Sequence, residues 1–152
     1  MTMRSVRIVI SVVFLPSCAG SPTAPPLLGP EASCHGQPRD AVVSFEDQAL
    51  AALTREALGF AGGADLTCGD VAQLDELDAS AAGITSLVGI QNAVNLVSLD
   101  ISANPIGDFT PLAALGALRS LFASTNGIVD ISWMRGLTEM RFLYLAENSI
   151  AD

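Results

Sequence analysis

Residues 96–112 read LVSLDISANPIGDFTPL, and this stretch decides the fold. A shift of 22 residues in either direction brings up the same pattern. Leu74, Leu96, Leu118 and Met140 fall in one column, and Leu77, Leu99, Leu121 and Leu143 in a second. Ala79, Ile101, Ala123 and Leu145 make a third, and Ile84, Ile106, Ile128 and Ile150 a fourth. Asn104, Asn126 and Asn148 share a further column, with Ala82 standing in the first row. Four in-register rows without an insertion mark a solenoid.

The spacing within a row says how each coil is built. A row opens L-x-x-L-x-(apolar), so positions four and six point inward from a short strand. Asn stands at position nine, where the chain must leave the strand and turn. Its amide can satisfy backbone groups of neighbouring coils and build a ladder along the stack. The Ile two residues later and the Leu near the row's end (Leu87, Leu112) fill the core from the opposite wall. Gly83, Pro105, Gly107 and Gly127 fall in the turns. No single row can bury its own apolar side, so stacking is obligatory.

Rows of this form resemble the 22-residue leucine-rich repeats of bacterial internalins, and the eukaryotic regulatory subunit of protein phosphatase 1 carries similar repeats. The resemblance covers residues 71–152. It implies an α/β solenoid, a horseshoe of parallel strands whose concave sheet binds protein. Ala82 in the Asn column, and Ala79 and Ala123 at position six, depart from the pattern and imply a slightly underpacked core.

The residues before the repeats fit the same picture. Phe45 to Leu58 (FEDQALAALTREAL) places Leu50, Leu53, Ala57 and Leu58 on one helical face. Glu46 and Asp47 lie at its start, where negative charge is favoured, and Gly59 is placed to end it. Thr67-Cys68-Gly69-Asp70 has the form of a capping box that opens a second short helix through Leu74. Together these resemble the helical N-cap that precedes internalin-type repeats, and an open solenoid end needs such a lid. The organisation expected is a lipoprotein-type signal peptide over 1–18, a Pro-rich tether over 19–40 and a helical N-terminal cap over 41–73. Repeats follow over 74–152, three full and a fourth incomplete.

The N-terminus carries an address. Arg4 and Arg7 precede an apolar run, Ile8 to Leu15, which is long enough for a signal peptide and far short of the roughly 20 residues that span a bilayer. Leu15-Pro16-Ser17-Cys18 resembles the lipobox of bacterial lipoproteins, which implies lipidation of Cys18; Pro16 departs from the usual small or apolar residue. Cleavage near Ala19 or Gly20 is the alternative and would release a soluble protein. Either way the chain is expected to be exported, to the outer membrane as an anchored lipoprotein or to the extracellular space. Membrane contact is expected through that anchor alone. Five prolines between Pro22 and Pro38 predict an extended, semi-stiff spacer.

Composition narrows the function. Acidic residues outnumber basic ones 16 to 7, a net charge of −9, which argues against nucleic acid as a partner. With Cys18 lipidated, Cys34 and Cys68 remain as a pair in an oxidising compartment. A bridge between them would pin the tether to the cap and stabilise by roughly 3–4 kcal/mol in the chain-entropy model; two free thiols are the alternative.

Little in the chain suggests catalysis. The single His, His35, adjoins Cys34 in the tether, without the scaffold that a nucleophile and base need. No Gly-rich phosphate loop, HExxH or paired CxxC occurs, so the expectation is a non-enzyme with no cofactor. Asp78 and Asp100 share a column about 5 Å apart, with Glu76 nearby, and carboxylates that close could hold a hard cation. Phe122 breaks that column in the third row, so a solvated acidic patch is expected and no metal is assigned.

Positions three, five and seven of each row should face solvent on the concave side. That face runs from acidic (Glu76, Asp78, Asp100) to aromatic (Phe122, Phe142, Tyr144), and these six residues are the candidate partner-binding set. The expected function is binding of a protein partner that the sequence does not name. A passive structural or adhesion role in the envelope is the alternative, as is a fragment of a longer repeat protein or an enzyme accessory domain. Row four stops shortly after Ile150, with no lid following. The face amounts to on the order of 200 Å², against roughly 800 Å² per partner in a standard interface. These two facts predict an incomplete solenoid, or self-association through an uncapped C-terminal edge.

Overall fold

The computed structural model describes residues 24–151. The segment expected as a signal peptide, residues 1–18 with Cys18, lies outside the described residues.

The repeat spacing becomes four short strands: β4 (Glu76–Asp78), β5 (Ser98–Asp100), β6 (Ser120–Phe122) and β7 (Phe142–Tyr144). They form one parallel sheet in sequence order, and each residue pairs with its equivalent one repeat away (Leu77 with Leu99, Leu99 with Leu121, Leu121 with Leu143). Leucines at position four and the apolar residue at position six point into the core; Leu99, Ile101, Leu121 and Ala123 are wholly buried. β7 is the outer strand of the described sheet, and its inward Leu143 is 39% exposed.

The return side of the coils is made of 3-10 helices at Ile90–Asn92, Thr110–Ala114 and Ser132–Gly136. Asp108 and Asp130 start two of them, each accepting from the backbone N–H two residues on (Thr110 at 2.8 Å, Ser132 at 3.1 Å). The Ser132 and Thr110 hydroxyls bond the same carboxylates. Phe109 and Trp133 stack beside these helices, ring centroids 5.7 Å apart.

Asparagine holds successive coils together. Asn104 Oδ1 accepts from the N–H of Ala82 (3.1 Å) and Ile84 (2.9 Å), while its Nδ2 donates to the carbonyls of Ala79 (2.8 Å) and Ile101 (2.9 Å). Asn126 accepts from Asn104 N–H at 3.2 Å, and Asn148 from Asn126 N–H at 3.0 Å and Ile128 N–H at 3.0 Å. Each amide therefore serves the row before its own. This direction accounts for Ala82: an asparagine in the first row would have no earlier coil to serve.

Before the repeats, β1 (Leu27–Leu28), β2 (Val42–Val43) and β3 (Leu66–Thr67) form a small sheet, β1 parallel and β3 antiparallel to β2. Helix α1 (Gln48–Ala57) is capped by Asp47, whose Oδ1 accepts from Ala49 N–H at 2.9 Å and Leu50 N–H at 3.2 Å. Its start is three residues later than the sequence suggests, because Glu46 bonds the first coil instead, its N–H donating to Val88 O at 3.1 Å and its carboxylate accepting from the Ser86 hydroxyl at 2.7 Å. Its buried face is Leu50, Ala51 and Thr54, and Ala57 is exposed. Thr54 is tolerated there because its hydroxyl bonds the Leu50 carbonyl at 2.8 Å. Helix α2 (Cys68–Val71) has the Thr67/Asp70 capping box and ends three residues short of Leu74.

The spacer expected over residues 19–40 is corrected across its second half. Leu28 is buried, Gln91 Nε2 donates to Pro30 O at 2.7 Å, and Asn92 donates to Ala32 O at 3.1 Å while accepting from Cys34 N–H at 2.7 Å. Proline content favours extended backbone but does not keep it from docking when side chains of the first coil satisfy its carbonyls. A disulfide joins Cys34 to Cys68, with Cα atoms 5.6 Å apart, and fixes this segment to the start of α2.

Candidate protein-binding face

Strand register sets the outer face of the repeat sheet. One outward column is Glu76–Ser98–Ser120–Phe142 and the next is Asp78–Asp100–Phe122–Tyr144. A third, just past the strands, is Ser80, Ser102, Ser124 and Ala146.

Asp78 Oδ1 accepts from the Ser80 hydroxyl at 2.7 Å and its N–H at 3.0 Å. Those two bonds hold the Asp78 carboxyl below the usual aspartate value, so it is anionic at neutral pH. Asp100 Oδ1 accepts from Ser102 N–H at 2.8 Å. In the same column Phe122 and Tyr144 stack, their centroids 4.7 Å apart and their planes within 6° of parallel. That separation is the strand spacing, so register alone brings the rings face to face.

Six candidate residues thus lie on one sheet face without forming one cluster. Phe122 and Tyr144 are a pair; Phe142, 57% exposed, stands in the neighbouring column beside Ser120. Glu76 lies at the far end of the Phe142 column. Among the described residues no group of three or more His, Cys, Asp or Glu side chains converges as metal ligands.

Comparison with known proteins bears on the repeat. No protein-family model and no curated protein sequence matches the chain. Among solved structures, the internalin InlF of Listeria monocytogenes aligns at 35% identity and a TM-score of 0.68, over 71% of this chain and 32% of its own. The repeats are of the internalin type. Internalin C2 of the same organism aligns at 28% identity and a TM-score of 0.55, over 70% of this chain and 57% of its own. A structure containing the INT domains of Clostridium perfringens ZmpB aligns at 33% identity and a TM-score of 0.54, covering 60% of this chain and 19% of that one. The chain spans about a third of the first internalin and just over half of the second.

Outside the internalin-type sheet, His35 is exposed, and Cys34 beside it is committed to the disulfide, so the two cannot serve as thiolate and base. They border a cavity of about 240 Å³ with Arg39, Asn92 and Val94. The long-range contacts of two anchoring groups carried no signal in the sequence. Asp47 Oδ2 accepts from Thr85 N–H at 2.9 Å and its hydroxyl at 3.2 Å, tying α1 to the first coil. Burial pushes the Asp47 carboxyl up, but the N–H groups of Thr85, Leu50 and Ala49 and the Thr85 hydroxyl together hold it lower than usual. Asn92, almost fully buried, holds the segment at Ala32–Cys34; its partners are some 60 residues away in the chain, beyond any local pattern.

Proposed function

We propose that this protein is an exported module that binds a protein partner on the concave face of its internalin-type repeats, with residues 27–73 as the N-terminal cap of the solenoid. One observation carries the reading. Phe122 and Tyr144 form a stacked pair on the open sheet face, with Phe142 exposed beside them. Large rings in contact with solvent on a rigid sheet are the side chains that anchor protein interfaces.

The cap role is supported by α1, which packs on β4, and by Asp47 and Glu46, which bond Thr85 and Ser86 of the first coil. Export is supported by Arg4, Arg7 and the apolar run that follows, and by a disulfide, which persists in oxidising compartments. Cys18 is the proposed lipidation site, and the anchor would keep the module at the outer membrane.

Capture of a partner from envelope extract tests the reading. A Phe122→Ala, Tyr144→Ala double variant should lose capture and unfold at nearly the wild-type temperature. Instability of roughly 2–5 kcal/mol, as in core truncations, would make the rings packing residues instead.

A further inference from the structure

The centre of the sheet face is built around two residues, Asp100 and Phe122, partners in register on β5 and β6. Each of those strands is paired on both sides. Within their rows the flanking outward positions are all serine: Ser98 and Ser102 beside Asp100, Ser120 and Ser124 beside Phe122. A carboxylate and an aromatic ring therefore stand next to each other inside a frame of small hydroxyl side chains.

One neighbour orients each group. Ser102 N–H holds Asp100 through Oδ1, leaving Oδ2 without a protein donor among the described residues. Tyr144 lies against one side of the Phe122 ring, so the opposite side of that ring is turned along the column toward Asp100. The two residues are roughly 5 Å apart along the sheet. Among the described residues the one ion pair is Arg119 with Glu139 at 4.0 Å, and no arginine neutralises Asp78 or Asp100.

We propose that the Asp100–Phe122 step is a receptor for an arginine side chain of the protein partner. The assignment rests on the concave-face reading and deepens it. A guanidinium is planar, so it lies flat on the free side of Phe122 while its forked N–H groups meet the Asp100 carboxylate. Its remaining donors find acceptors in the surrounding serine hydroxyls. A lysine ammonium, strongly hydrated and without a plane, gains the charge attraction but not the stacking. The excess of acidic over basic side chains, 16 to 7, draws a basic segment in from a distance, and Asp78 and Glu76 extend the attraction along the face.

The experiment is a solution titration of the whole soluble chain, followed by NMR, at physiological salt. The probes are acetyl-Gly-Gly-X-Gly-Gly-amide peptides in which X is arginine, lysine or citrulline. Citrulline keeps the shape of arginine and removes its charge. Shifts centred on Asp100, Ser102, Phe122 and Ser124 are expected with arginine, which should bind at least about fivefold tighter than citrulline and more tightly than lysine. Asp100→Asn keeps the acceptor for Ser102 N–H and removes the charge; it should abolish the preference over citrulline. Phe122→Leu should erase the preference for arginine over lysine. Glu56→Gln makes the same change in net charge on exposed helix α1 and should change nothing.

Equal binding of arginine and citrulline, or equal losses from Asp100→Asn and Glu56→Gln, would overturn the assignment. The partner-capture test is independent of it. If the Phe122/Tyr144 double variant loses capture while the peptides show no arginine preference, the arginine receptor falls and concave-face binding stands. If the double variant captures as wild type does, the concave-face reading itself falls, and the arginine receptor with it.

Discussion

Replacing Asn104 by alanine tests the account of how the coils are held together. Asn104 is 2% exposed, and its amide makes five hydrogen bonds, to Ala82 N–H, Ile84 N–H, Ala79 O, Ile101 O and Ser102 O. Ile84, Ala79 and Ile101 are buried, while Ala82 is half-buried and could take water in exchange. Ile101 O keeps a second donor in Asn126 Nδ2 at 3.1 Å, so alanine strands two backbone groups, Ile84 N–H and Ala79 O, at about 1–3 kcal/mol each. Allowing for relaxation, the expected loss is about 2–4 kcal/mol, a large part of the 5–15 kcal/mol typical of a domain. Asn148→Ala is the internal control. Asn148 makes the same kinds of bond to Asn126, Ile128, Ala123 and Leu145 but is itself only half-buried, so water replaces part of what is lost and about 1–2 kcal/mol is expected. Urea unfolding followed by circular dichroism gives both values, with an unchanged m-value as the check that the transition remains cooperative. Amide exchange at Ile84 should also quicken in Asn104→Ala. A loss under about 1 kcal/mol, or one no larger than that of Asn148→Ala, would show that the ladder is decorative and that apolar packing alone holds the coils.

Four further outcomes follow from the structure. Position eight of every row is left-handed without glycine (Ala81, Ala103, Thr125 and Glu147, with φ between 50° and 58°), and β-branched Thr125 fits it worst; Thr125→Gly should stabilise by about 0.5–1 kcal/mol in thermal unfolding, and no gain would mean the position is unstrained. Gly89→Ala should destabilise by more than about 2 kcal/mol, because its Cβ would stand 2.9 Å from Phe45 Cα and φ is +112° there; a wild-type melting curve would contradict that contact. Asp47 has a lowered carboxyl pKa when folded, so its contribution is present above the unfolded value near 3.8 and is lost as pH falls through the folded one; Asp47→Asn should flatten the acid limb of the stability curve, and an unchanged limb would rule Asp47 out as its source. Cys18→Ser should abolish detergent-phase partitioning, and unchanged processing would mean the lipobox is not used.

The repeat was legible in the sequence because a solenoid writes its contacts at a fixed interval. Leu99 meets Leu77 and Leu121 for the same reason that the three share a column, so strand number, register and inward residues follow from the period. The outward columns followed too, since side chains alternate along a strand. What lies before the repeats was legible only locally. The Thr67/Asp70 box announced a helix start, because capping is a matter of three or four residues, whereas Glu46 and Asp47 read only as favourable charge near the start of α1 and left its first residue misplaced. That Pro30, Ala32 and Cys34 dock on Gln91 and Asn92 depends on polar groups some 60 residues apart that no period connects, and composition alone made the segment look like a free spacer. The same holds within the candidate face. The sequence placed Asp100, Phe122 and Tyr144 in one column; only the three-dimensional stacking of the two rings decided which side of Phe122 remains open, and only the bond from Ser102 showed which Asp100 oxygen is engaged. Register is a one-dimensional property that a repeat encodes directly, whereas side-chain direction is settled by whichever neighbours reach it first.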